Sequence, residues 1–216
     1  IYALITIAIF GMWYYARYEG NFLPSPKKTF NPMMIVAIVI LVPGTQFAAN
    51  FIANLTGYIR PDWLQQYNEL FETSGITDTT FVTVLYSVIL APICEELIFR
   101  GVTMRCARKA LPFALANLMQ AALFGLFHLN WIQGIYAFAL GIVLGYVCER
   151  GGSIYYSMGL HLLFNLWGTL SGFFPDPGNS VVVFVVVIVV TIVSLVAGFV
   201  LFNKGRRKLP INSTGI

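Results

Sequence analysis

Residues 81–100 read FVTVLYSVILAPICEELIFR, an apolar run that ends in two acidic residues and one basic residue. Only 10% of the chain is charged, yet Glu95, Glu96 and Arg100 lie within six residues of one another. A charge at the centre of a bilayer costs about 3 kcal/mol even on lenient insertion scales, so such residues mark candidate functional sites. In a helix Glu96 and Arg100 share a face and can pair, while Glu95 points about 100° away. A structural ion pair is the competing interpretation.

The composition predicts a membrane protein. Hydrophobic residues make up 58% of the 216 residues, and the mean hydropathy is +0.77. Soluble domains are about 45–50% apolar, and several runs here approach the roughly 20 apolar residues that span a bilayer. We predict an all-α polytopic membrane protein, a single transmembrane domain over 1–216. Its seven predicted transmembrane segments are approximately 1–15, 32–52, 80–105, 111–129, 133–148, 153–173 and 181–202.

Three local patterns bear on helix packing. Pro43-Gly44 is expected to kink the second segment, with neighbouring helices satisfying the freed backbone groups. The glycines of the fifth segment have a spacing typical of close helix packing: Gly134, Gly141 and Gly145. A short amphipathic helix at the membrane interface is predicted from apolar residues at helical spacing: Trp63, Leu64, Tyr67, Leu70 and Phe71.

Charge distribution predicts the orientation. Basic residues gather after the first, third, fifth and seventh segments, whereas the other links hold Arg60 among acidic residues. By the positive-inside rule the basic links are cytoplasmic. Seven segments with a cytoplasmic C-terminus leave Ile1 outside, so we expect an eighth helix upstream in the full-length chain. We expect a multi-pass integral protein of a prokaryotic plasma membrane.

Two histidines and an asparagine complete a candidate catalytic set. His128 and His161 are the only histidines, and Asn165 lies four residues after His161, on the same helical face. A desolvated glutamate is a suitable general base, and histidine can share the water or pass on its proton. His161 and Asn165 can donate hydrogen bonds to an oxyanion. The alternative for each is a hydrogen bond that joins helices, and neither Ser157 nor Ser171 lies in a G-x-S-x-G turn.

Taken together, these residues fall in three short blocks over roughly residues 80–172, the predicted catalytic core. The blocks are Glu95-Glu96-Leu-Ile-Phe-Arg100, Phe124-Gly-Leu-Phe-His128 and His161-Leu-Leu-Phe-Asn165. In order and spacing they resemble the CAAX-protease and bacteriocin-processing (CPBP, or Abi) family of intramembrane proteases. The resemblance implies about eight membrane spans around a cavity that is open toward the cytosolic side.

The resemblance also implies roles for the residues. Glu95 and His128 would activate water, and His161 and Asn165 would stabilise the oxyanion. Supporting roles fall to the two remaining charged residues of the first block, Glu96 and Arg100. At 1.5 Å per residue, however, His128 lies about 25 Å from the start of its segment, and Glu95 about 15 Å from its own basic edge. The fourth segment must therefore tilt, bend or start later.

Metal use is a separate question, because the family is named for metalloproteases. Glu95, His128 and His161 could form a His₂Glu zinc set. The chain lacks the H-E-x-x-H motif, and a metal-bound Glu95 would no longer serve as the base. We therefore favour metal-free hydrolysis by Glu and His, with one divalent metal, zinc, as the alternative.

The functional hypothesis is an intramembrane endopeptidase that hydrolyses a peptide bond in a membrane-associated protein or peptide. Its expected partners are membrane lipids and a peptide or lipidated-protein substrate, and no nucleic acid. The alternatives are a non-catalytic immunity or binding protein on the same scaffold, since a fold does not secure an activity, and a small transporter with a buried charged relay.

Overall fold

The computed structural model describes residues 2–16, 30–74, 80–171 and 180–206, which form eight helices and no strand. This confirms the predicted all-α class. The helices are α1 (Tyr2–Tyr14), α2 (Pro32–Ile59), α3 (Pro61–Ser74), α4 (Phe81–Ala107), α5 (Phe113–Phe127), α6 (Trp131–Gly151), α7 (Ile154–Ser171) and α8 (Val181–Gly205).

Each of the seven predicted segments is helical, but the helices differ in length. Four of them, α2, α4, α6 and α8, are long and apolar enough to cross a membrane, and α1 and α5 are shorter apolar helices. Residues 17–29, 75–79, 172–179 and 207–216 lie outside the described residues, and they include the basic link predicted after the first segment.

Helix α3 is the predicted amphipathic helix, and its inner face packs on α6. Trp63 stacks on Trp131 with ring centroids 5.3 Å apart. Tyr67, one turn further along α3, is likewise half-buried, whereas Leu64 and Leu70 are exposed. The helix therefore covers the N-terminal end of α6.

The main core joins α2, α6, α7 and α8. Leu41, Leu144, Leu160 and Phe202, one from each helix, are fully buried in a single cluster. Burying a large apolar side chain stabilises a fold by roughly 1.5–3 kcal/mol relative to exposure to water, and in a bilayer the same close packing holds helices together. This core forms the rigid frame behind α4.

A neighbouring helix bridges the backbone of α2 next to Pro43. Proline has no N–H and its ring displaces the carbonyl one turn back, so it breaks the helical hydrogen-bond ladder. The Gly44 N–H donates to Ser194 Oγ of α8 at 2.9 Å. The Ser194 hydroxyl in turn donates to the Ile40 carbonyl. These bonds give the Gly44 N–H and the Ile40 carbonyl partners on a neighbouring helix, as expected beside a proline in a membrane helix.

Contacts between helix termini bring the predicted basic edges to one end of the bundle. Arg108, just after α4, forms a 3.2 Å ion pair with Glu149 near the end of α6. Asn31, which caps α2, donates to the Gly205 carbonyl at the end of α8 at 2.6 Å. Tyr146 of α6 donates to Asn203 near the end of α8 at 2.8 Å, so the ends of α4, α6 and α8 lie together, as the positive-inside assignment requires.

Candidate active site

Helix α4 changes its winding around the acidic pair. A regular α-helical segment, Ala91–Glu96, is flanked by π-helical turns at Leu85–Leu90 and Leu97–Met104. Pro92 near the start of that segment cannot continue the ladder, and helices widen or kink at such residues. Wider turns of this kind are frequent at functional sites.

Glu96 lies at the centre of a buried ion-pair cluster. Its Oε1 accepts a hydrogen bond from Arg100 Nη1 at 2.9 Å, which confirms the predicted pair. The same oxygen accepts from His161 Nδ1 of α7 at 3.0 Å. The Glu96 and Arg100 side chains are both 0% exposed, so removal of either partner would strand a charge without water.

His161 lies between the two glutamates. Because an ionised carboxylate only accepts hydrogen bonds, Nδ1 of His161 carries the proton that is donated to Glu96. This directs Nε2 toward Glu95, whose Oε2 is 3.5 Å away. That separation is longer than a hydrogen bond, and catalytic contacts commonly tighten only when substrate binds.

Accessibility separates the two acidic residues. The Glu95 side chain is 17% exposed, compared with 0% for Glu96 and 3% for His161. Within this cluster Glu95 is therefore the carboxylate that a water molecule or a substrate can reach, and Glu96 is the one that orients the histidine.

The Phe124 ring connects the second motif to the first and third. The Arg100 guanidinium carbon lies 4.6 Å from its centroid. The ring also makes edge contacts with His161 at 5.7 Å and with His128 at 4.9 Å between centroids. His128 thus reaches the cluster across Phe124, and among the described residues it forms no ion pair with a carboxylate.

The structure accounts for part of the predicted depth mismatch of His128. Helix α5 begins at Phe113, later than the predicted segment, and His128 caps its C-terminus. The His128 ring folds back one turn, where Nδ1 lies 2.8 Å from the Phe124 carbonyl. Because a carbonyl oxygen can only accept, Nδ1 is the protonated nitrogen and Nε2 is left for another partner.

Asn165 lies one turn after His161 and bridges two helices. Its Nδ2 donates to the Ser87 carbonyl at 2.8 Å, in the π-helical turn that precedes Glu95. One of its two amide hydrogens is thereby used to join α7 to α4. The second is the one that an oxyanion would need.

A polar network outside the three motifs meets Arg100 at the Gly141 carbonyl. Arg100 Nη2 donates to the Gly141 carbonyl of α6 at 3.2 Å, and Gln120 Nε2 of α5 donates to the same oxygen at 2.9 Å. Gln120 also donates to Asn117 Oδ1 at 2.7 Å, and Asn117 donates to the Ile142 carbonyl at 3.0 Å. Two amides in an otherwise apolar helix were the available sequence signal.

Gly141 allows this close approach of α5 and α6. A Cβ at this position would lie 3.1 Å from Ala121 and 3.2 Å from Phe124. At Gly145 it would collide with the Asn117 side chain. The prediction that this glycine series mediates close helix packing is therefore confirmed.

The described residues do not assemble a metal centre. No group of three or more His, Cys, Asp or Glu side chains within 2–16, 30–74, 80–171 and 180–206 is arranged to hold a metal ion. In particular, His161 faces one carboxylate with each ring nitrogen, and His128 Nδ1 is bonded to a carbonyl. The alternative zinc set, Glu95 with His128 and His161, stays a prediction, because a metal-binding histidine also uses its second ring nitrogen for a bond to a carboxylate or a carbonyl.

Fold and site together define a helical integral membrane protein with a buried cluster of glutamate, arginine and histidine. Residues 77–167 match the family described as Type II CAAX prenyl endopeptidase Rce1-like, which confirms the resemblance inferred from the three motifs. The matched stretch contains all six candidate site residues. No curated protein and no solved structure matches the chain. The family supports a membrane enzyme of the CAAX protease-like class.

Proposed function

We propose that this protein is an intramembrane endopeptidase that hydrolyses a peptide bond in a membrane-associated protein or peptide. The observation that carries the proposal is the position of Glu95. It is the accessible carboxylate of the cluster, 3.5 Å from a histidine whose other nitrogen is held by Glu96. Similarity to a family of CAAX prenyl endopeptidases makes lipid-anchored carboxyl-terminal peptides the first substrates to try.

In the proposed reaction Glu95 takes a proton from water as the water oxygen attacks the scissile carbonyl carbon. His128, across Phe124, assists by accepting a hydrogen bond from the same water at Nε2. The tetrahedral intermediate then collapses, the C–N bond breaks, and the proton held by Glu95 passes to the leaving amine. General acid–base catalysis of this kind contributes about 10²–10⁴-fold to a rate.

His161 and Asn165 are proposed to stabilise the oxyanion. With Nδ1–H donated to Glu96, His161 can donate from Nε2 to the oxyanion only as an imidazolium. The free amide hydrogen of Asn165 supplies a second donor on the same face. The proposal uses no metal step, because within 2–16, 30–74, 80–171 and 180–206 no three potential ligands are grouped to hold an ion.

The experiment that tests this function is quantitative proteomics of membranes from cells that express wild-type protein or Glu95→Gln. We expect cleavage products in the wild type and intact precursors with Glu95→Gln. Glu72→Gln, an exposed carboxylate on α3, is the matched control and should behave as wild type. Equal processing by Glu95→Gln would contradict the role of Glu95, and no processing difference from cells without the protein would favour a non-catalytic binding protein.

Purified active protein tests the metal question. Its activity should survive exhaustive chelation, and metal analysis should find no stoichiometric zinc. Loss of activity on chelation that zinc restores would show that the arrangement described above rearranges to bind a metal.

A further inference from the structure

An apolar groove lies on the outside of the bundle, away from the catalytic cluster. It has a volume of about 480 Å³ and runs between α5, α6 and α8. Most of its wall is aliphatic or aromatic, including Phe113, Leu118, Ile142, Val143 and Phe199. A concave apolar surface of this size is within the range of ligand-binding pockets.

One end of the groove carries cations. Tyr146 lines the groove, and its hydroxyl donates to Asn203 Oδ1 at 2.8 Å. The exposed Arg150 guanidinium lies 5.7 Å above the Tyr146 ring, one turn further toward the end of α6. Lys204, also exposed, follows Asn203 on α8. The groove therefore ends at one cation, Arg150, and Lys204 lies on the neighbouring turn of α8.

A third cation, Arg108, lies at the same end. Its guanidinium is anchored by Glu149 at 3.2 Å and by the Leu111 carbonyl at 2.9 Å, next to the start of α5. Glu149 is the one acidic group beside it. With Arg150 and Lys204 the four side chains sum to a charge of +2.

We propose that this groove binds an anionic phospholipid, with an acyl chain along the apolar wall and the phosphate at Arg150 and Lys204. The order of the surface, apolar along its length and cationic at the membrane edge, matches that of an anionic lipid. Basic pockets between transmembrane helices recognise such headgroups, with about 1 kcal/mol for each basic residue near the membrane surface. This inference does not depend on the proposed protease activity.

Asn117 constrains how the site can be tested. It lines the groove and is also the outer end of the hydrogen-bond network that supports Arg100. Changing it would disturb both sites. Ala114, which lines the groove and is exposed, is the better position to fill.

The experiment titrates the purified chain in neutral detergent with dioleoylphosphatidylglycerol or dioleoylphosphatidylcholine and measures thermal stability and bound lipid by native mass spectrometry. Ala114→Trp fills the groove, and Leu115→Trp places the same side chain on an exposed neighbour outside it. Arg150→Gln removes the cation at the groove end. Arg206→Gln is its control. It also removes a cation, but at the end of α8, where Gly205 contacts the start of α2 and not the groove.

We expect phosphatidylglycerol to bind and stabilise the wild type more strongly than phosphatidylcholine. Arg150→Gln should weaken phosphatidylglycerol binding about fivefold, the equivalent of one surface cation. Ala114→Trp should abolish the selective binding, and both controls should retain it. If Ala114→Trp does not fold, Arg150→Gln still decides the matter, because its side chain is exposed and outside the core.

Three results would overturn the proposal. The first is equal binding of the two lipids by the wild type. The second is unchanged phosphatidylglycerol selectivity in Arg150→Gln. The third is displacement of phosphatidylglycerol by a neutral prenyl alcohol, which would assign the groove to an isoprenoid chain. The outcome is independent of catalysis, so loss of lipid binding and loss of cleavage by Glu95→Gln are separate results.

Discussion

His161 donates from Nδ1 to Glu96 Oε1 at 3.0 Å, and that oxygen is also held by Arg100 at 2.9 Å. One carboxylate oxygen therefore fixes both a cation of its own helix and a histidine from a helix 65 residues away. The consequence is that His161 presents Nε2, and not Nδ1, toward Glu95. A carboxylate that accepts from one ring nitrogen in this way sets the tautomer of the histidine.

The buried pair predicts a large stability effect. Glu96→Ala leaves Arg100 as an uncompensated charge and should lower the free energy of unfolding by about 3–5 kcal/mol. Glu149→Ala is the control, because it breaks the exposed pair with Arg108 and should cost about 0–1 kcal/mol. Unfolding in mixed SDS micelles measures both. Replacing Glu96 and Arg100 together by leucine should cost less than Glu96→Ala, and a larger loss in the double variant would contradict the stranded-charge explanation.

Substitutions at Asn165 and Thr169 distinguish a catalytic role of Asn165 from a role in helix packing. If its free amide hydrogen stabilises the oxyanion, Asn165→Ala should lower kcat by about 10²–10³-fold. Thr169→Ala, one turn further along α7, removes a bond to the Asn165 carbonyl and should leave kcat unchanged. Kinetics on a cleavable peptide test the pair of variants. An Asn165→Ala enzyme with wild-type kcat would show that Asn165 serves only to join α7 to α4 through its bond with Ser87.

Gln120 is expected to matter although no motif contains it. Gln120→Leu leaves Asn117 Oδ1 without this donor and removes one of two side-chain donors from Gly141 O, so it should cost about 1–3 kcal/mol of stability. Gln65→Leu on the exposed face of α3 should change stability by no more than about 0.5 kcal/mol. Equal effects of the two substitutions would argue against a supporting network.

Ser194 and Pro43 should be energetically coupled. Ser194→Ala removes both bonds to α2 next to Pro43 and should lower the free energy of unfolding by about 1–3 kcal/mol in wild type. In a Pro43→Ala background the helix can restore its own ladder, so the same change should cost less. A double-mutant cycle on unfolding free energy gives the coupling directly. Additive effects of the two substitutions on the free energy of unfolding would show that Ser194 acts independently of Pro43.

The contacts between helix ends make topology testable. Single cysteines at positions 109, 150 and 204 should react with a membrane-impermeant reagent from the cytoplasmic side, and a cysteine at 69 from the opposite side. Native Cys106 is exposed and must first be replaced. Labelling of 109 and 204 from opposite sides would contradict the bundle, since α4, α6 and α8 all end together. Labelling of all three from outside would show that the predicted membrane orientation is reversed, and it would leave the bundle itself uncontradicted.

Local sequence determined the helices and the motif partners. Long apolar runs predict helices because a chain in a bilayer must satisfy its backbone internally. The Glu96–Arg100 pair was also predictable, since residues four apart meet on any helix. The three motifs were sufficient to indicate the resemblance that the match over residues 77–167 bears out, because each is a short pattern with defined local spacing.

Tertiary structure alone decided which faces meet. The bond between Asn165 and Ser87 spans 78 residues, and that between Gly44 and Ser194 spans 150. Periodicity shows which residues share a face of one helix, whereas the partner of that face depends on the rotation and depth of every other helix. For this reason the sequence placed His161 near the acidic motif but did not predict that it lies between Glu95 and Glu96. The same limit hid Gln120, whose role exists only because Gly141 allows α5 and α6 to approach closely.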